Sequence, residues 1–85
     1  RIGGDEFAVL MTNVTSDRQI TDRMKLVMGE IHGLPAKMGI GINVSVSVGI
    51  TRSVAEDKEF DDMYKRADLA MYEAKTKGKD RFIIK

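Results

Sequence analysis

Arg1-Ile2-Gly3-Gly4-Asp5-Glu6-Phe7-Ala8-Val9-Leu10-Met11 opens the chain, and the reading of its centre decides the fold. Adjacent Gly3 and Gly4 can both take positive φ, as a two-residue type I′ hairpin turn requires. The run from Phe7 to Met11 is apolar at consecutive rather than alternate positions, the pattern of a strand buried on both faces. Together they predict a β-hairpin with Asp5 and Glu6 beside its bend. With no Cβ atoms next to these acids, a nucleotide base or phosphate has room to press against the turn. A divalent cation held by the carboxylates would then sit beside the phosphates.

Working outward, a polar loop over residues 12–15 leads to Ser16, which stands three residues before Gln19. That is capping-box spacing and starts a helix. Ile20, Met24, Val27, Ile31 and Leu34 follow at steps of four, three, four and three, one apolar stripe. Gly33 and Pro35 are the expected stop. Ile40, Ile42, Val44, Val46, Val48 and Ile50 then alternate with Gly41, Asn43, Ser45, Ser47 and Gly49, predicting an eleven-residue strand of period two. The small residues of its other face imply close approach by a helix or a ligand. A second helix is expected over residues 58–77, with Asp57 as N-cap. Phe60, Met63, Tyr64, Ala67, Ala70, Met71 and Ala74 form its buried stripe, and Gly78 ends it. Arg81-Phe82-Ile83-Ile84 reads as a short final strand. The order is ββ-α-β-α-β, an α+β class.

Bulk composition narrows the function classes. At 85 residues the chain is one domain at most, burying only about 60–65 % of its unfolded surface. A net charge of +1 gives no bulk field to draw in nucleic acid or an anionic membrane. No apolar run approaches the length of a membrane span. The lack of cysteine excludes disulfides and thiolate metal sites, and fits a cytoplasmic location. Six methionines against five aromatics point to a core of flexible side chains, with Met24, Met28, Met63 and Met71 placed there. His32 has no cysteine or second histidine to pair with and reads as a surface residue. Ser45 and Ser47 have no histidine base and read as small residues on a packed face.

Three segments carry a resemblance. Gly3-Gly4-Asp5-Glu6-Phe7 resembles the signature of the GGDEF family, the diguanylate cyclases. Ser45-Val46-Ser47-Val48-Gly49-Ile50 is similar to that family's Ser-x-Gly-[Ile/Val/Ala] strand. Ala67-Asp68-x-Ala70-x-Tyr72-x-Ala74-Lys75-x-x-Gly78-Lys79 resembles its closing helix, usually written A-D-x-A-l-Y-x-A-K-x-x-G-R-N. The three occur in family order and together span the whole chain. The implied fold is ferredoxin-like, related in architecture to nucleotidyl cyclases and polymerase palms. The chain then corresponds to the C-terminal part of one GGDEF domain, residues 1–85, lacking the first strand and first helices. Sheet strands without those neighbours would expose their edges and favour self-association.

The resemblance also implies the chemistry. Two GTP molecules condense to cyclic di-GMP with release of pyrophosphate, each 3′-hydroxyl attacking the other's α-phosphorus. The protein's tasks are alignment and charge neutralisation. Asp5 matches the metal ligand and candidate base, and Glu6 the supporting carboxylate, for Mg²⁺ (or Mn²⁺), which takes oxygen donors. Gly3 and Gly4 make room for the guanine nucleotide, and Lys75 and Lys79 match the residues that bind the β- and γ-phosphates. Arg1 matches an arginine two positions before the double glycine. Lys79 stands where the family usually has Arg, losing a planar fork, and Asp80 where it has Asn. Asp68 and Tyr72 read as structural, with Tyr72 packed. The two-fold product implies a homodimer, and control implies an N-terminal sensor or receiver domain. Two other readings remain: a regulator that binds GTP or cyclic di-GMP without turnover, and an inactive fragment.

Overall fold

The structure, a computed structural model, describes residues 13–85. Within them the order is α1 (Asp17–Met38), β1 (Val48–Ile50), α2 (Phe60–Thr76) and β2 (Phe82–Ile84). This is the expected α-β-α-β succession; the expected hairpin lies outside the described residues.

Helix α1 begins where the sequence indicates. The Ser16 hydroxyl accepts a hydrogen bond from the Gln19 backbone N–H at 3.3 Å. The return half of the box is displaced by one residue: Gln19 Oε1 accepts from the Thr15 N–H at 2.7 Å. Its end differs from expectation. The helix runs through Gly33 and Pro35 to Met38, and Gly39 takes the left-handed stop at φ 69°. Ile40 N–H donates to the Pro35 carbonyl at 3.0 Å and Gly39 N–H to Ala36 at 3.3 Å. This nested pair is a Schellman closure. Pro35 lacks the N–H that would serve the Ile31 carbonyl, so it costs the helix one bond without ending it. Along the helix Ile20, Met28 and Pro35 are buried, whereas Val27 and Leu34 are exposed.

The eleven-residue strand is also corrected. Only Val48–Ile50 is strand, paired in parallel with Phe82–Ile84 in the register Val48↔Phe82, Gly49↔Ile83 and Ile50↔Ile84. A strand is a pairing as much as a pattern. Among the described residues its partner offers three residues, so the ladder stops there. Its ends are closed by Val48 N–H to the Arg81 carbonyl (3.0 Å) and Lys85 N–H to the Ile50 carbonyl (2.8 Å).

The small face of that strand does what the sequence implied. Helix α2 packs on both strands, with Ala70 and Ala74 fully buried. A Cβ added to Gly49 would overlap the Ala67 carbonyl oxygen and the Met71 backbone nitrogen, and would lie 2.8 Å from Met71 Cα. Helix backbone therefore rests directly on strand backbone. Only a residue without a side chain fits between them.

The start of α2 moves by two residues, and Glu59 rather than Asp57 precedes it. The Asp62 carboxylate, in the first turn, reaches back to accept from the Lys58 and Glu59 N–H groups at 2.8 and 3.2 Å, just ahead of the helix. Asp57 is used elsewhere. Its carboxylate takes a two-pronged contact from Arg66 at 2.7 and 2.8 Å and accepts from Val54 N–H at 2.9 Å. Arg66 also donates to Thr51 Oγ1 and the Arg52 carbonyl, while the Thr51 hydroxyl donates to the Lys85 carbonyl. One guanidinium thus ties the loop after β1, the helix and the far end of the sheet. Phe60 and Tyr72, both read as packed, are instead 65 % and 68 % exposed. Phe60 opens the helix beyond the sheet, and its ring stacks tilted against Tyr64.

Candidate nucleotide-phosphate site

The expected site residues divide into two groups. Arg1, Gly3, Gly4, Asp5 and Glu6 lie outside the described residues. Lys75 and Lys79 lie at the C-terminal end of α2, both exposed. Lys75 is in the last helical turn. The helix then closes with Lys77 N–H on the Glu73 carbonyl (3.0 Å) and Lys79 N–H on the Ala74 carbonyl (2.9 Å). Gly78 makes the reversal at φ 121°, and Lys79 and Asp80 follow at 63° and 48°. Three successive residues in left-handed backbone are costly for the two that carry side chains, and contacts hold them. Arg81 Nε donates to the Lys79 carbonyl at 3.0 Å. The same guanidinium lies across Gly78, 2.8 Å from where a Cβ would stand.

Charge at this end is sorted. Glu73 takes Lys85 at 3.4 Å and Lys77 at 3.9 Å. Among the described residues, neither Lys75 nor Lys79 has an ion-pair partner.

One pairing was not legible beforehand. His32 Nε2, on α1, lies 2.6 Å from Asp80 Oδ1, and both side chains are half-exposed. His32 read as an unremarkable surface residue; it is a partnered one. The only signal for it was the acid at Asp80 in a motif that usually carries an amide. The pair borders an open cleft of roughly 410 Å³ that Lys25, Met28, Arg81 and Phe82 also line.

No group of three or more histidine and acidic side chains placed to hold a metal ion occurs among the described residues. No described helix is long and apolar enough to cross a membrane. The shifted titrations belong to the loop clasp. Asp57 is lowered from 3.8 to about 2, first by the Arg66 hydrogen bond and then by the Val54 N–H. Asp62 is lowered by the Lys58 and Glu59 N–H groups.

The family model described as "Diguanylate cyclase, GGDEF domain" matches residues 1–81. The chain belongs to the GGDEF family. Its relatives agree with that assignment. It is 32 % identical, over 95 % of its length, to the probable diguanylate cyclase DgcC of Escherichia coli, of which it covers 22 %. It is 30 % identical, over its full length, to the response regulator PleD of Caulobacter vibrioides, covering 19 %. It is 35 % identical, over 99 % of its length, to the cyclic di-GMP phosphodiesterase PdeR of Escherichia coli, covering 13 %. The chain thus spans about a fifth of the length of the first two. No solved structure matches it. Family membership places the chain in cyclic di-GMP signalling at the level of the family.

Proposed function

We propose that this chain is the C-terminal part of a diguanylate cyclase domain whose parent joins two GTP molecules into cyclic di-GMP with release of pyrophosphate. The observation that carries the reading is the family match running from residue 1 through an intact Gly3-Gly4-Asp5-Glu6-Phe7 to the closing helix. The two ammonium groups at the end of α2, which have no ion-pair partner among the described residues, support it, since nucleotide phosphates need cations to meet them. In this reading Gly3 and Gly4 admit the nucleotide, and Arg1 stands beside them. Lys75 and Lys79 hold β- and γ-phosphate.

Asp5 and Glu6 would hold Mg²⁺ (or Mn²⁺). Two adjacent carboxylates suit such an ion, which prefers oxygen donors and keeps several waters. When bound, it supplies charge neutralisation beside the phosphates. The product's symmetry calls for two domains facing each other, hence a homodimer. A relative named a response regulator supports an N-terminal receiver or sensor domain in the parent.

The deciding experiment incubates the full-length parent with GTP and Mg²⁺ and looks for cyclic di-GMP by chromatography. Product is expected, and Asp5→Asn is expected to abolish it. A parent that binds GTP without forming product would establish the regulator reading instead. That reading draws on the Lys79 and Asp80 departures and on a relative named as a phosphodiesterase. The 85-residue chain alone is expected not to turn over GTP.

A further inference from the structure

We propose that His32 is a positioning residue for nucleotide phosphate at the end of α2, an inference that rests on the reading just given. The observation is a clasp across 48 residues of sequence, His32 Nε2 to Asp80 Oδ1 at 2.6 Å. Asp80 directly follows Lys79, and both hold positive φ, which side-chain-bearing residues keep only where neighbours fix it. Two of the fixing contacts grip the Lys79 backbone: its N–H on Ala74 and its carbonyl under Arg81. His32 is the contact that grips Asp80, and it comes from a different element. Among the described residues the Asp80 carboxylate has no other partner.

The charge argument points the same way. A free carboxylate next to a phosphate-binding lysine repels the ligand. Tied to His32, the Asp80 oxygen is committed to α1. Among the described residues the other charged groups bordering the cleft are Lys25 from α1 and Arg81 from the turn, both basic; Met28 and Phe82 carry no charge. Without His32 the Asp80 carboxylate is released beside Lys79, and phosphate affinity should fall.

The test uses the full-length parent. Affinity for a non-hydrolysable GTP analogue with Mg²⁺ is measured by calorimetry, and turnover kinetics accompany it. His32→Ala should bind about two- to fivefold less tightly, the scale of an exposed charge pair, raising KM with kcat retained. His32→Gln, which restores a hydrogen bond, should recover part of that loss. Adding Asp80→Asn to His32→Ala should remove the part of the penalty that the freed carboxylate carries.

Wild-type binding that His32→Ala leaves unaltered would overturn this inference alone. So would a loss in His32→Gln that adding Asp80→Asn leaves in full, a comparison that still decides if His32→Ala does not fold. A wild-type parent with no affinity for the analogue would overturn the functional reading and this inference with it.

Discussion

Helices α1 and α2 carry similar apolar stripes, yet among the described residues they meet the two strands by different contacts. Helix α2 lies backbone to backbone on the sheet, through Gly49, Ala67, Ala70 and Ala74. No comparable interface joins α1 to either strand or to α2 among the described residues. Its described links are polar: Asp17 to Arg52 at 3.5 Å and His32 to Asp80 at 2.6 Å. Its outer side chains include Leu26, 71 % exposed, and Met38, 67 % exposed. Helix α1 nonetheless buries Ile20 and Met28. Periodicity alone does not tell which helix lies on the described strands; the small residues at the α2 seam do.

The contrast can be broken most directly at Gly49. Gly49→Ala forces a methyl into the backbone of α2, where no flexible side-chain end can yield. A loss of about 3 kcal/mol or more is expected in a denaturant melt, at or above the upper range of overpacking. Ala70→Leu tests the same seam from the helix side and should cost about 1–3 kcal/mol. Gly39→Ala addresses α1 instead. Among the described residues nothing lies within 4 Å of the added methyl, so left-handed backbone strain of about 1–2 kcal/mol should appear.

A narrower effect, confined to acid, concerns the Arg66 clasp. The Asp57 carboxyl is lowered from 3.8 to about 2 in the folded chain. Because the folded value lies below the ordinary one, its contribution is complete above about pH 4 and fades as pH falls from 3.8 towards 2. Asp57→Asn should flatten that part of the stability–pH curve. At the small end, Leu26→Gln should change stability by no more than about 0.5 kcal/mol, the usual size at an exposed position. A larger loss would reveal a packing partner on the outer face of α1.

Much of this division could be read from residues. Ser16 and Gln19 located the start of α1, and the glycine-and-alanine spacing of Gly49, Ala67, Ala70 and Ala74 located the seam. The family motifs located Lys75 and Lys79. What escaped were choices between equivalent signals. Gly33-x-Pro35 and Gly39-Ile40 both offer a helix stop, and only the Schellman bonds to Pro35 and Ala36 select the second. The alternation from Ile40 to Ile50 is faultless as a pattern, but among the described residues its pairing with Phe82–Ile84 covers only three residues. Asp57 is a good cap by type and a better partner for Arg66 by position. The His32–Asp80 clasp joins residues too far apart in sequence for any local pattern to reveal. The acidic pair at Asp5 and Glu6 lies outside the described residues.

The parallel register of β1 and β2 bears on how the molecule opens. Two three-residue strands cannot meet until the intervening helix has wound and turned the chain back beside itself. Neither partner persists without that docking, so backbone amides across Val48–Ile50, the inner face of α2 and Phe82–Ile84 should exchange with deuterium as one block. The turn of α1 beyond Pro35 should exchange earlier, at its own rate.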